Sequence, residues 1–249
     1  MTFYNKINLM LPTRKRVQNG KLKKYLESAV NSMDSSDAVV FTFLIDSDDQ
    51  ESADFLNGFC EMYGRENTHI IINNDIEKPH LGNFYNKMYE ETKFNAEEGT
   101  LVSMTGDDMV FNTQGWDSKI LSAANQTDGL GIIYCDDDYV QHENLCVNLF
   151  VSRRLVKATG KKFMCPLYAA DYIDTVWMNV GHNTGLLTYL GDVKITHEHS
   201  GSKTPDTYDE TFLRLRGGWK DAQDHTAELG NYVHTVVQAL KSAGVSRKR

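Results

Sequence analysis

The strongest constraint on this chain is an alternation in its first half. Short apolar runs at residues 7–11, 39–45, 69–72 and 100–105 are separated by amphipathic stretches at 21–33, 51–63 and 82–92. The run at 39–45 reads VVFTFLI, a β-branched and aromatic segment suited to a strand buried on both faces. Between the runs, Leu22, Leu26, Ala29, Val30 and Met33 recur at helical spacing. A β-α-β-α-β-α-β order predicts an α/β fold: a mainly parallel, Rossmann-like sheet with helices on both faces. Pro12 should end the first strand, because it cannot donate to a ladder.

The second half is less regular. Strands are expected at 131–135 and 146–150, on either side of Asp136-Asp137-Asp138. Ser152 suits the N-cap of a short helix that stops at Gly160. Residues 171–179 read as helix and 193–197 as strand. A last helix carries Leu229, Val233, Val236, Val237 and Leu240. No repeat, linker or composition break divides the chain, so residues 1–249 read as a single domain with halves 1–115 and 116–249.

Composition removes several function classes. A formal net charge of −8 argues against a passive electrostatic nucleic-acid binder. No apolar run approaches the roughly 18 residues of a membrane span. The N-terminus places its apolar run before its basic stretch, the reverse of an export signal, so a cytoplasmic protein is expected. Cys60, Cys135, Cys146 and Cys165 show no CxxC spacing and are expected to be reduced and buried.

The chemistry sits where strands end. Ligands of open parallel sheets bind beyond the carboxyl ends of the strands. Asp46 and Asp48, Asn73 and Asn74, and Asp107 and Asp108 each follow such an end and should converge on one rim. One aspartate after a strand is an ordinary turn residue; the whole set points to a site. Asp107 and Asp108 are adjacent after a buried strand and repel each other. A hard divalent cation, Mg²⁺ or Mn²⁺, would offset that repulsion. In His197-Glu198-His199 the two imidazoles face one side of a strand, and either can complete a metal sphere with the aspartates. Asp171 and Asp174 lie near a predicted helix start, where the macrodipole favours acids; their functional reading is a general base.

Taken in order, these pieces resemble a GT-A fold glycosyltransferase, similar to the large family-2-like group. The resemblance is carried by Leu11-Pro12-Thr13-Arg14, Asp46-Ser47-Asp48-Asp49 and Leu81-Gly82-Asn83 with Asn86. Its most specific stretch is GDDMVFNTQGWD, residues 106–117, in the place of a DXD metal motif. Ala170-Asp171-Tyr172 and His197-Glu198-His199, with Lys203 and Asp209, complete it. The motif here is Gly-Asp-Asp rather than Asp-X-Asp. The resemblance implies a nucleotide-diphosphate sugar donor, a UDP-sugar above all, and Mn²⁺ or Mg²⁺ as cofactor. Residues 1–115 would then bind the donor, and 116–249 would complete the metal site and face the acceptor. Donor contacts would come from Pro12, Thr13, Arg14, Asp46, Asp48, Asn74, Asn83 and Asp107, with Asp46 on the base and Asp107 toward the sugar and ribose. Asp108 would bind the metal with His199 or His197. Asp171 would be the catalytic base of an inverting reaction, and Trp116 and Asp117 would line the acceptor side.

The acceptor is open at this level. Arg14, Lys15, Arg16, Lys21, Lys23 and Lys24 form a basic run that Lys161, Lys162 and residues 247–249 could extend. A basic lip suits a polyanion, so hydroxymethylated pyrimidine in phage DNA is one candidate acceptor. A saccharide, a lipid-linked sugar and a protein are the others. A sugar-1-phosphate nucleotidyltransferase would carry a Gly-rich loop after the first strand, which Pro12-Thr13-Arg14-Lys15-Arg16 lacks. Clustered aspartates also serve metal-dependent nucleases and phosphatases. A non-catalytic GT-A-like binding domain would not need Asp46, Asp107, Asp108, Asp171 and His199 together.

Overall fold

A computed structural model describes residues 3–76, 80–96, 98–139, 141–166, 173–198 and 226–245. Its centre is an eight-stranded sheet in the order β3-β2-β1-β4-β7-β6-β8-β5. The strands are β1 (Lys6–Thr13), β2 (Val39–Asp46), β3 (Thr68–Asn73), β4 (Thr100–Met104), β5 (Met109–Phe111), β6 (Ile132–Asp136), β7 (Leu149–Ser152) and β8 (Leu187–His197). The helices are α1 (Lys21–Ser32), α2 (Gln50–Tyr63), α3 (Leu81–Glu91), α4 (Trp116–Gln126), α5 (Arg153–Ala158), α6 (Ile173–Thr184) and α7 (Thr226–Ser242). β1 to β4 pair in parallel, as the alternation predicts. β7 runs against β4 and β6, and β5 runs against β8, so the sheet is mixed but mostly parallel.

Alternate residues of each strand enter opposite faces, and both faces are buried. Leu9, Leu11, Phe41, Phe43 and Phe150 pack with α1, α2 and α4. Met10, Leu44, Val102, Met104, Leu149 and Val151 pack with α3, α5, α6 and α7. β2 has no exposed residue, which is why it is apolar throughout except for Thr42 and Asp46. Thr42 is accommodated because it donates to Asn8 Oδ1 at 2.9 Å and bonds Thr92 Oγ1 at 2.7 Å. No described helix is long and apolar enough to cross a membrane.

Four expectations change. β1 continues through Pro12 to Thr13. Met10 donates its N–H toward β4, to Ser103 Oγ, so Pro12, two residues on, faces that side too. The last β1–β4 pair is Asn8 with Val102, so the proline withholds no ladder bond. Residues 116–126 form a helix that the motif reading passed over, although Trp116, Ile120, Ala123 and Ala124 lie at helical spacing. β7 starts at Leu149 rather than 146, because the Asn148 side chain accepts the Cys135 N–H at 2.7 Å and stands in for a ladder partner. β8 is longer than 193–197 and carries an irregularity opposite Cys135 and Asp136.

Trp116 and Asp117 belong to this framework, which corrects their assignment to an acceptor side. Trp116 is fully buried, packs on Phe111 at 4.5 Å between ring centres, and donates its indole N–H to Ala29 O at 3.1 Å. Asp117 is also fully buried, and its carboxylate accepts the N–H groups of Asp34 and Ser35. Neither side chain has a surface that an acceptor could touch. Trp116→Ala is expected to lower the unfolding free energy by about 3–5 kcal/mol, read from a urea titration.

Candidate active site

The parallel arrangement brings the carboxyl ends of β1, β2, β3 and β4 to one rim, with those of β6 and β8 beside them. At the β2 end, Asp46 is buried and held on both oxygens. Asn73 donates to Oδ1 at 2.6 Å and Arg14 to Oδ2 at 2.9 Å. Arg14 also grips the exposed Asp48 carboxylate with both terminal nitrogens, Nη2 to Oδ2 at 2.7 Å. The hydrogen bond from Arg14 holds the Asp48 carboxyl below its ordinary range, and the guanidinium is raised in turn. Asn73, not Asn74, is the residue in contact here; Asn74 is exposed and one position past the strand. Asn83 is exposed in the first turn of α3, where its N–H is capped by His80 Nδ1 at 3.1 Å.

At the β4 end the two adjacent carboxylates separate. Asp107 turns inward, where Thr13 Oγ1 donates to its Oδ2 at 2.7 Å and Arg16 Nη1 lies 3.6 Å from Oδ1. Burial pushes the Asp107 carboxyl up to about 6, against the lowering pull of Arg16. Asp108 turns the other way, and its Oδ1 lies 3.4 Å from His197 Nε2. Burial would raise Asp108, but His197, Arg16 and Lys21 together outweigh it and hold the group well below the usual carboxylate range.

The Asp108–His197 contact is built by strand pairing. The short β5 that follows the acidic turn runs antiparallel to the end of β8, with Met109 opposite His197. Glu198 N–H then reaches Asp108 O at 2.8 Å, and His197 N–H reaches Asp137 O at 3.1 Å. Burial disfavours the His197 imidazolium, but the Asp108, Asp174 and Asp137 charges raise its pKa overall. Asp174, in the first turn of α6, is raised by burial, and its carboxylate accepts the Thr175 N–H at 2.7 Å.

An oxygen and a nitrogen ligand at right angles on one cation, each about 2.1 Å away, lie about 3 Å apart. Asp108 Oδ1 and His197 Nε2, at 3.4 Å, stand a few tenths of an ångström wider than that and within reach of one ion, and the donor set suits a cation that accepts both carboxylate and imidazole, Mn²⁺ more than Mg²⁺. Asp136, Asp137 and His142 also bring ligand atoms within 4.8 Å of one another. Their oxygens are engaged: Asp136 by Asp138 N–H, His142 and the Tyr189 hydroxyl, Asp137 by Gln141 and His142 N–H. This group braces the loop after β6.

The two arginines of the basic run are engaged at the rim, and two of its lysines form exposed pairs. Arg14 pairs with Asp46 and Asp48, Arg16 with Asp107, Lys24 with Glu198 and Lys23 with Glu27. Asp171, His199, Lys203, Asp209 and residues 247–249 lie outside the described residues. Pro12 is half-buried in β1, opposite Leu44. Asn73, expected at the rim, Asp174, a general-base candidate, and Arg16, part of the basic run, all join the site, although none of the three is among the donor or metal contacts that the resemblance implies.

Known structures share this architecture. A mannosyltransferase from Pyrobaculum calidifontis, solved with GDP-Man and Mn²⁺, superposes with a TM-score of 0.60 at 11% identity over 100% of this chain and 77% of its own. GalNAc-T7 with UDP, GalNAc and Mn²⁺ gives 0.62 at 10% identity, over 97% of this chain and 55% of its own. The fold is GT-A. S. aureus TarS gives 0.59 at 9% identity, and the chain spans 36% of its length. No protein-family model matches the GT-A chain described here, and no curated protein does.

Thr13 donates to the ionised form of Asp107 and so opposes the effect of burial. Thr13→Val should therefore move the Asp107 pKa upward from about 6 in the metal-free protein. A carboxyl ¹³C NMR titration reads the shift, and an unchanged or lower value contradicts the pairing.

Proposed function

We propose that this chain is a metal-dependent glycosyltransferase that moves a sugar from a nucleotide-diphosphate sugar to an acceptor hydroxyl. The observation that carries the reading is the pairing of Asp108 with His197 at the rim of a GT-A sheet, beside the Arg14–Asp46–Asn73 cluster. Mn²⁺ complexes of the mannosyltransferase and of GalNAc-T7 support the choice of cation.

Asp108 and His197 would hold the cation, with His199 as a further ligand. Its chemistry when bound is to offset the charge that gathers on the diphosphate leaving group. Asp46 would receive a base N–H. Arg14 and Asn73 take one bond on each of its oxygens, and a carboxylate oxygen accepts more than one. Uracil offers such an N–H, and TarS was solved with UDP and with UDP-GlcNAc. Pro12, Thr13, Asp48, Asn74 and Asn83 would supply further donor contacts. Asp107 orders the loop after β1 through Thr13 and Arg16, with a share in the sugar and ribose contacts. Asp171 would take the proton of the acceptor hydroxyl in an inverting displacement.

For the acceptor, a neutral saccharide hydroxyl suits the site better than hydroxymethylated DNA. Arg14 and Arg16 are committed to Asp46, Asp48 and Asp107 at the rim, which lessens the charge a phosphate backbone would meet there. An acceptor panel of oligosaccharides and hydroxymethyl-pyrimidine duplexes decides the point by labelled-sugar transfer.

The central test is Asp108→Ala. It should bind no Mn²⁺ and should lose at least about a hundredfold in nucleoside diphosphate release from UDP-sugars, with its thermal unfolding retained. Wild-type turnover in that variant, or release of pyrophosphate rather than nucleoside diphosphate, removes the reading.

A further inference from the structure

The acidic turn begins at Thr105, and two tyrosines hold that residue from opposite sides of the sheet. Tyr25 comes from α1, on the face packed with α2 and α4, and its hydroxyl lies 2.8 Å from Thr105 Oγ1. Tyr85 comes from α3, on the other face, and its hydroxyl donates to Thr105 O at 2.5 Å. Thr105 Oγ1 donates in turn to Met10 O at 3.2 Å, so the Tyr25 hydroxyl is the donor to Thr105. All three side chains are buried: Tyr25 and Thr105 are fully excluded from solvent and Tyr85 is 2% exposed.

A buried hydroxyl without a partner costs more than the hydrogen bond itself is worth. Each phenol meets that requirement on Thr105, so the packing of both helices is conditional on where Thr105 sits. The next residues form a tight turn, with Met109 N–H bonded to Gly106 O at 3.1 Å. Its far end is stapled by Asp108 O to Glu198 N–H. The turn is thus fixed at entry by two helices and at exit by β8, and its two carboxylates have little freedom between.

We propose that Tyr25 and Tyr85 are positioning residues that set the acidic turn, so that Asp107 faces Thr13 and Arg16 while Asp108 faces His197 and the cation. The inference rests on the metal reading of Asp108 and His197 given above. It adds that metal affinity is tuned by two hydroxyls that bond Thr105 rather than either ligand, as outer groups commonly tune a metal site.

Tyr25→Phe and Tyr85→Phe keep the rings and remove only the hydroxyls. Hydrogen exchange of the amides in 106–109 should speed up about fivefold in each, the loss of one net hydrogen bond. The Mn²⁺ concentration for half-saturation, followed by its EPR signal in the presence of UDP, should rise about tenfold. Tyr63→Phe is the control: its hydroxyl bonds Ser36 O and Val39 O at the opposite end of β2, and it should change neither readout. Thr105→Val reaches the Tyr25 contact from the other side, and the double variant Thr105→Val with Tyr25→Phe should be no worse than Thr105→Val alone, which already leaves the Tyr25 hydroxyl without its partner. It also serves if a tyrosine variant does not fold. Unchanged exchange and unchanged Mn²⁺ dependence in the folded variants overturn the proposal. If the wild-type protein binds no Mn²⁺, the metal reading fails and exchange in 106–109 alone judges the clamp.

Discussion

Two carboxylates on consecutive residues at the end of a buried strand face a simple electrostatic problem. Side by side in a poorly solvated place they repel, and one is driven to take up a proton. Here the turn sends them apart. Asp107 goes inward to a hydroxyl and a buried guanidinium, and Asp108 goes toward an imidazole. The loop after β1, the placing of β5 against β8 and the fate of the basic run all follow from that separation. Arg16 is buried because Asp107 needs a countercharge, and β5 exists as a strand where it brings Asp108 to His197.

The same logic organises the neighbouring strand end. Asp46 is buried at the end of β2, and Arg14 and Asn73 neutralise and fix it. The rim is thus a row of carboxylates, each with an assigned donor, rather than an open acidic surface. A net charge of −8 therefore does not mean an open acidic rim, because the negative groups there are engaged by donors of the chain's own.

Much of the fold was legible in the sequence, for reasons that are local. The strand at 39–45 was legible because both its faces are covered, and a β-branched and aromatic run of that length suits such a strand. The short helix after Ser152 was legible because its cap is a local hydrogen bond, Leu155 N–H to Ser152 Oγ at 3.0 Å. Trp116 was misread because an aromatic residue in a motif looks the same whether it lines a pocket or fills a core. Only its contact with Phe111 and Ala29 distinguishes the two. Pro12 was misread because its penalty depends on which neighbour its nitrogen faces, and the neighbour on that side has already parted from β1.

The sequence by itself determined the layered α/β architecture, the strand ends that carry polar residues and the candidacy of Asp46, Asp107, Asp108 and His197. Those properties depend on periodicity and on which residue types tolerate burial, and both are written locally along the chain. The tertiary structure alone decided which carboxylate meets which partner. Thr13 and Arg16 with Asp107, His197 with Asp108, and Tyr25 and Tyr85 with Thr105 are all distant in sequence. Such pairs arise where strand order and register bring chain ends together, and no local pattern encodes the direction in which a side chain at a turn finally points.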